Sequence, residues 1–572
     1  MSERRSADVL LRGGAVYRVD AARSWARAVA VSGDRILAVG SDAELRDLVT
    51  SRTRVIDLGG RMLLPGFQDA HVHASGGGLD RLRCDLTEVR GRDGYAAHVR
   101  RYADEHPDEE WITGAGWYMD AFPGGVPVSA DLDAVVPGRP VFLINRDHHG
   151  GWANSAALAL AGIDAATPDP PDGRIERDAA GRPAGALQEG AMRLVEAVIP
   201  QPSAAQRVQG VLEGQRYLHE LGITGWQEAI VGDYPGVPDC YEAYRTVAAD
   251  GRLTGRVVGA LWWDRTRSPA EIDAQIDELA ERRAGARDGP FRATTVKIML
   301  DGVCENHTAA MLAPYLGGPG QDGDGQHGRG SHPAGLSYLD PAVLQQMVTR
   351  LDRLGFQVHV HAIGDRAVRD ALDAFDAARA RNGPSDRRHH IAHIQVVHPD
   401  DLPRFRRLHV AANAQPLWAC HDRQMTELTL PFLGPERSAQ QYPFGSLSRS
   451  GAMLAFGSDW PVSSPSPPWL LHVAVNRTAP WDVSGEPDPL SREPLLPAER
   501  LDLPTALAAC TAGSAHVNHL DETGSIQPGY LADLVVLDRN LFEHPAAEIG
   551  QAATELTMAG GRIVYTRPGF GG

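Results

Sequence analysis

The sequence predicts an α/β protein: a (β/α)8 TIM barrel with an inserted subdomain, plus a small β domain assembled from both ends of the chain. Two observations carry this reading. The middle of the chain repeats short apolar strands followed by helical stretches, eight units in all, whereas both ends alternate apolar and polar residues between glycine turns. A third observation is negative. No GxGxxG opens a helix after a strand, so an open doubly wound sheet, the other architecture such a repeat builds, lacks its usual support. At 572 residues the chain exceeds what one small core organises.

Taken in order, residues 7–62 read as short antiparallel strands, with turns at "RGG", "SGDR" and "LGGR". The barrel strands are then expected at 63–73, 223–229, 255–263, 293–300, 356–362, 389–397, 409–415 and 452–459. Helical stretches such as "VLQQMVTRLDRLG" and "AVRDALDAFDAARAR" follow several of them. The span between the first two strands, 76–215, is too long for a plain loop and is expected to be an inserted subdomain, with turns and a hairpin over 162–185. Strands at 524–538 and 556–565 repeat the style of the N-terminal part. The expected division is therefore 1–62, a barrel over 63–509, and 510–572 returning to the small β domain. The glycine-rich stretch 317–335 lacks the lysine and hydroxyl residue of a phosphate loop and reads as a mobile loop.

Composition excludes several classes. A net charge of −17 disfavours nucleic acid, whose binding requires clustered Lys and Arg. No run approaches 18 consecutive apolar residues, so no membrane partner is expected. The N-terminus lacks an apolar signal region, and a cytoplasmic location follows as an expectation. Five scattered cysteines without a CxxC read as reduced thiols. Lys297 stands out: the other basic residues are all arginine. It is either an accident of an Arg-biased composition or a position where arginine cannot do the chemistry, because a buried lysine can shed its proton and attack carbonyl carbon.

"LLPGFQDAHVH" places His71 and His73 two apart, which on a strand puts both imidazoles on one face. They are either a metal chelate or two unrelated polar residues at a strand end. Each other candidate also has two readings. His361 shares its face with His359 in "VHVHA", one of the two being interior packing, and His393 shares its face with His389. Asp459 in "GSDWP" also fits a helix N-cap. What favours a metal site is the joint arrangement, since His71, His73, Lys297, His361, His393 and Asp459 fall at the ends of separate predicted strands.

"PGFQDAHVH", "VKIMLDG", "VHAIGDRAV", "HIQVVHPDDLPRF", "GSDWPV" and "GSIQPGYLADLVVLD" resemble the metal-dependent amidohydrolase superfamily. The branch resembled includes the N-substituted formamide deformylases, whose inserted subdomain is matched by "DHHGGWANSAAL" and "GALQEGA". The resemblance implies a distorted (β/α)8 barrel with a β-sandwich built from both termini. It also implies that His71, His73 and Asp459 hold one metal, that His361 and His393 hold a second, and that Lys297, carboxylated by carbon dioxide, bridges them. Zinc suits these donors, with iron, manganese or nickel as alternatives. The implied activity is hydrolysis of a C–N amide bond in a small N-substituted formamide or N-acyl amine, with Asp459 carrying the proton. Cyclic amide, carbamate or ester hydrolysis and ring deamination would use the same site, and a non-catalytic regulator is the remaining alternative. A homodimer is expected by the same resemblance. The pattern departs at Ala392, where family members commonly carry Glu, and Cys304 or Glu305, just past Lys297, are alternative ligands. Trp117, Tyr118, His149, Trp152, Asn154 and Trp418 are the expected substrate contacts, for an apolar or aromatic N-substituent.

Overall fold

The structure is a computed structural model describing residues 6–146, 148–170, 172–234, 238–316, 333–480 and 489–570. Most of the glycine-rich stretch 317–335 lies outside the described residues. Eight parallel strands form the central sheet: β1 (Phe67–Val72), β2 (Ile223–Val231), β3 (Arg256–Trp262), β4 (Phe291–Met299), β5 (Gln357–Ala362), β6 (His390–His393), β7 (Ala411–Ala414) and β8 (Leu454–Phe456), neighbouring in chain order. Closure between β8 and β1 occurs just past the strands. The Asp459 N–H donates to His71 O (2.7 Å), and the His73 N–H donates to Trp460 O (2.8 Å). The buried Asp69 carboxylate also accepts the Ser458 N–H (3.1 Å). The sheet is thus a distorted barrel, and its last seam is made by the residues that carry the candidate ligands.

Helices cover the barrel by ordinary apolar patterning. The helix Pro341–Arg353 starts with Asp340 accepting the N–H groups of Ala342 and Val343. It buries Leu344, Met347, Val348 and Leu351, the spacing of one helical stripe. Each such side chain contributes about 1.5–3 kcal/mol of burial. The helix Ala74–Arg81, which begins directly after His73, lies against Ala204–Glu220 backbone to backbone. A Cβ on Gly78 would lie 1.9 Å from Gly210 O, so the glycine run of "HASGGG" seats the end of β1 firmly.

The expected first strand, 63–73, is two strands. Met62–Pro65 pairs with Leu534–Leu537 in a six-stranded sheet built from both ends of the chain, and β1 starts at Phe67. Gly66 is the crossing point, where a Cβ would lie 2.4 Å from Thr224 Oγ1. That sheet and a four-stranded N-terminal sheet share one apolar cluster including Leu11, Val16, Val31, Leu534, Val536 and Leu556, which makes the pair a sandwich. Between β1 and β2 the chain builds a further six-stranded sheet, in which the expected hairpin is Gly173–Arg177 paired with Pro183–Glu189.

Candidate metal centre

The C-terminal ends of the barrel strands bring the six ligands the resemblance implies to one cavity, lined by His71, His73, Lys297, His361, His393 and Asp459. His71 Nε2 and His73 Nε2 each lie 3.1 Å from Asp459 Oδ1. One donor atom from each of these three residues falls within 4.8 Å of the others. Lys297 Nζ is 3.5 Å from His71 Nε2. The rings of His361 and His393 are 4.4 Å apart, and His393 Nδ1 lies 3.8 Å from Asp459 Oδ2. Asp459 does not cap a helix. It sits at φ +57°, and the next helix, Pro467–Asn476, begins after Ser466.

Strand parity accounts for His71 and His73 but not for His393. Parity pairs His393 with His389, yet His389 faces outward onto Phe375 and Asp352. His390 is the inward residue, its Nε2 3.1 Å from Gln227 Oε1 in the barrel. β6 ends at His393, where φ is +76° and the following Ile394 has φ +44°. This break in the extended backbone turns the His393 ring into the cavity, out of step with the strand.

The barrel interior fixes the tautomer of His71. Gln357 Nε2 donates to two backbone carbonyls, Arg388 O and Val517 O (both 2.7 Å), so its Oε1 is the acceptor. Gln227 Nε2 donates to that oxygen (3.2 Å), which leaves Gln227 Oε1 to accept from His359 Nδ1–H (2.6 Å). Neutral His359 then offers its Nε2 lone pair to His71 Nδ1–H (2.8 Å). Burial, then the charge of Lys297, pushes the His71 imidazole down to about 3, so it is neutral and its Nε2 carries a lone pair. His71 Nε2 and Asp459 Oδ1 therefore face each other as two acceptors.

Buried acceptors at that distance repel unless a cation lies between them. His73 Nδ1, His393 Nδ1 and Asp459 Oδ1 are buried and have no hydrogen-bond partner among the described residues. The donor set fits a divalent metal. His361 Nε2–H donates to Gly302 O (3.2 Å), which leaves the Nδ1 lone pair available to a metal. Burial pushes Lys297 down to about 7, so near neutral pH a substantial share of it is free amine.

His359 is thus a support for His71 and not a ligand, which yields the first prediction. His359→Phe removes both hydrogen bonds and is expected to weaken metal affinity about 10–100-fold. His359→Gln, which can both accept and donate, should retain most of it. Metal competition with a chromophoric chelator reads the difference; equal affinities in the two variants would refute the relay.

The expected substrate contacts divide. Trp418 lines the cavity and stacks on His393 (5.1 Å between rings, 2° between planes), and His149 lines it from the inserted sheet. Tyr118 lines a larger adjoining cavity of about 660 Å³, with the guanidinium groups of Arg90 and Arg146 over its ring. Trp117 borders that outer cavity but is buried, its Nε1–H held by Leu143 O (2.9 Å). Trp152 and Asn154 are not substrate contacts. Trp152 packs in the core of the insert with its Nε1–H on Val128 O (2.9 Å). Asn154 caps the helix Ser155–Leu160 and spends its amide on Val136 O and Arg139 O. Cys304 is buried in an apolar cluster, where burial holds it as a thiol, and Glu305 lines the outer cavity; neither belongs to the three-donor group.

Sequence reasoning missed Tyr234, Met299 and Ile363, which complete the apolar wall with Trp262 and Val303. It also missed Asp301, whose carboxylate accepts the N–H groups of Ile363, Gly364 and Ala310 (2.8–3.0 Å) and so ties the end of β4 to that of β5. The only signal for Asp301 was its place in "VKIMLDG".

Comparison with known proteins agrees with this geometry. The amidohydrolase family model matches residues 54–565. The Arabidopsis thaliana protein LONG AFTER FAR-RED 3 is 31% identical, over 98% of this chain and 92% of its own length. The N-substituted formamide deformylase of Arthrobacter pascens is 27% identical, over 98% of this chain and 99% of its own. Among solved structures, an uncharacterized metal-dependent hydrolase from Pyrococcus furiosus is 26% identical with a TM-score of 0.69, over 93% of this chain and 99% of that one. Matched along nearly its whole length, and folded so that the matching strand ends converge on one donor set, the chain belongs to the amidohydrolase family, as a metal-dependent hydrolase acting on C–N bonds.

Proposed function

We propose that the protein hydrolyses the amide bond of a small N-substituted formamide or N-acyl amine, releasing a carboxylic acid and an amine. The observation that carries the reading is the meeting of His71 Nε2 and His73 Nε2 at one Asp459 oxygen, beside Lys297, in a cavity walled in part by Ile230, Tyr234, Trp262, Met299 and Trp418. His71, His73 and Asp459 would hold one metal ion, zinc being the best match to imidazole and carboxylate. His361 and His393 would hold a second, with Lys297, carboxylated by carbon dioxide on its free amine, between them. When bound, the metal supplies hydroxide at neutral pH and polarises the carbonyl.

The chain's own groups do the rest. Asp459, at φ +57° on the closing seam, takes the proton of the attacking water and hands it to the leaving nitrogen as the C–N bond breaks. Ile230, Tyr234, Trp262, Met299 and Trp418 exclude bulk water and pack against an apolar N-substituent. The deformylase relative supports this substrate class, and the aromatic wall supports an aryl or alkyl amine over a charged one.

The test is formate release from N-benzylformamide compared with acetate release from N-benzylacetamide and ammonia release from a heterocyclic amine. Formate or acetate release that rises with the size of the N-substituent is expected. Ammonia release alone would replace the amide reading with ring deamination on the same centre.

A further inference from the structure

Within the insert, His149, which lines the cavity, meets Glu189, and neither belongs to the metal set. His149 Nδ1 lies 2.9 Å from Glu189 Oε1, and each residue is only 8% exposed. The backbones are tied as well, with the Glu189 N–H donating to His149 O (2.9 Å). The pair is built under constraint. Glu189 sits at φ +51°, ψ −127°, and His148, beside His149, at φ +61°, both rare for residues with a side chain. Gly190 follows, where a Cβ would crowd the Asp172 carboxylate, 2.0 Å from its Oδ1. Thr308 Oγ1, from the segment after β4, lies 3.5 Å from the same carboxylate oxygen. His149 lines the cavity together with Lys297, His361 and Asp459.

We infer that Glu189 and His149 form a catalytic pair, with His149 donating a hydrogen bond to the substrate's carbonyl oxygen; this rests on the amide-hydrolase reading above. The carboxylate can only accept, so His149 Nδ1 carries a proton toward Glu189 and Nε2 is the atom presented to substrate. For Nε2 to donate as well, the ring is taken as the imidazolium, whose charge the Glu189 carboxylate 2.9 Å from Nδ1 balances. As water adds to the carbonyl carbon, the C–O double bond opens and negative charge gathers on the oxygen. The Nε2–H of the imidazolium faces that charge, while Glu189 balances the imidazolium from behind. The proton stays on Nε2 throughout, and no bond to His149 forms or breaks. An Nδ1–carboxylate bond orients a catalytic imidazole in the same way in hydrolases of unrelated fold.

The experiment uses the full-length, metal-loaded enzyme with N-benzylformamide, and measures metal content, kcat and KM for wild type, His149→Ala, His149→Gln and Glu189→Gln. His149→Ala is expected to lower kcat about 10²–10³-fold, the cost of one oxyanion donor. KM should change less than threefold and metal content not at all. His149→Gln should recover at least tenfold over His149→Ala, because its amide N–H can replace the donor. Glu189→Gln should lower kcat about tenfold. A raised KM with unchanged kcat would overturn the proposal in favour of simple substrate holding. Loss of metal from these variants would overturn it in favour of metal support. Full activity in His149→Ala alongside an active wild type overturns the pair alone. A wild type that turns over no amide overturns the amide reading and the pair with it.

Discussion

Asp459→Asn is expected to abolish turnover, lowering kcat by about 10⁴-fold, the upper range for removal of a positioned acid–base group. The substitution keeps the shape of the side chain and changes one property. An anionic acceptor 3.1 Å from both His71 Nε2 and His73 Nε2 becomes an amide that can present N–H to the His71 lone pair. Two consequences separate a chemical role from a structural one. The variant should hold less metal, because a donor now occupies the ligand direction. Its metal-free form should be more stable than metal-free wild type by about 1 kcal/mol, the net value of one hydrogen bond, because the acceptor–acceptor contact is gone. Steady-state kinetics and thermal unfolding in the presence of a chelator measure both. A metal-free variant less stable than metal-free wild type would mean that Asp459 serves mainly to hold the β1–β8 seam.

Lys297→Arg and Lys297→Ala should each lower kcat by about 10²-fold or more, the loss of several kcal/mol of charge stabilisation. They fail for different reasons. Alanine removes the amine. Arginine keeps a cation that cannot lose its proton or take up carbon dioxide, and sets a permanent charge beside His71. The arginine variant is therefore expected to bind metal more weakly than the alanine variant. Short carboxylic acids should partly rescue the alanine variant and leave the arginine variant inactive. Wild type supplied with ¹³C-bicarbonate should show a carbamate carbon resonance that both variants lack. A fully active Lys297→Arg would show that the lone lysine is compositional accident.

The barrel was legible because its code is coarse. Apolar runs separated by amphipathic helices need only burial and period, and β2 to β8 fall within a few residues of where those runs place them. The first strand was misread because Met62–Pro65 and Phe67–Val72 are both wholly buried, and continuous burial erases the alternation that would mark the break at Gly66. The six-stranded insert sheet was visible only as its hairpin, since its edge strand, Cys84–Asp85, is two residues long. In the site, His71 and His73 follow from parity, whereas the ring direction of His393 depends on a left-handed backbone that no pattern of side chains announces. Trp152 and Asn154 looked like substrate contacts by residue type alone. Only the fold shows their polar atoms already bonded to backbone. His359, set aside in the sequence as one of two equivalent histidines, is separated from His361 by depth: it lies within the barrel, bonded to Gln227, beneath the ligand it supports.

On the function proposed above, activity depends on a metal held by His71, His73 and Asp459. Elemental analysis of wild type and of His71→Ala/His73→Ala, each purified without chelator and assayed for amide hydrolysis in parallel, tests it most directly. One to two metal ions per wild-type chain are expected, with a near-total loss in the double variant, and activity that falls with the metal and returns to wild type alone when metal is restored after chelation. Amide hydrolysis by metal-free wild type, or by the double variant at wild-type rates, would contradict it.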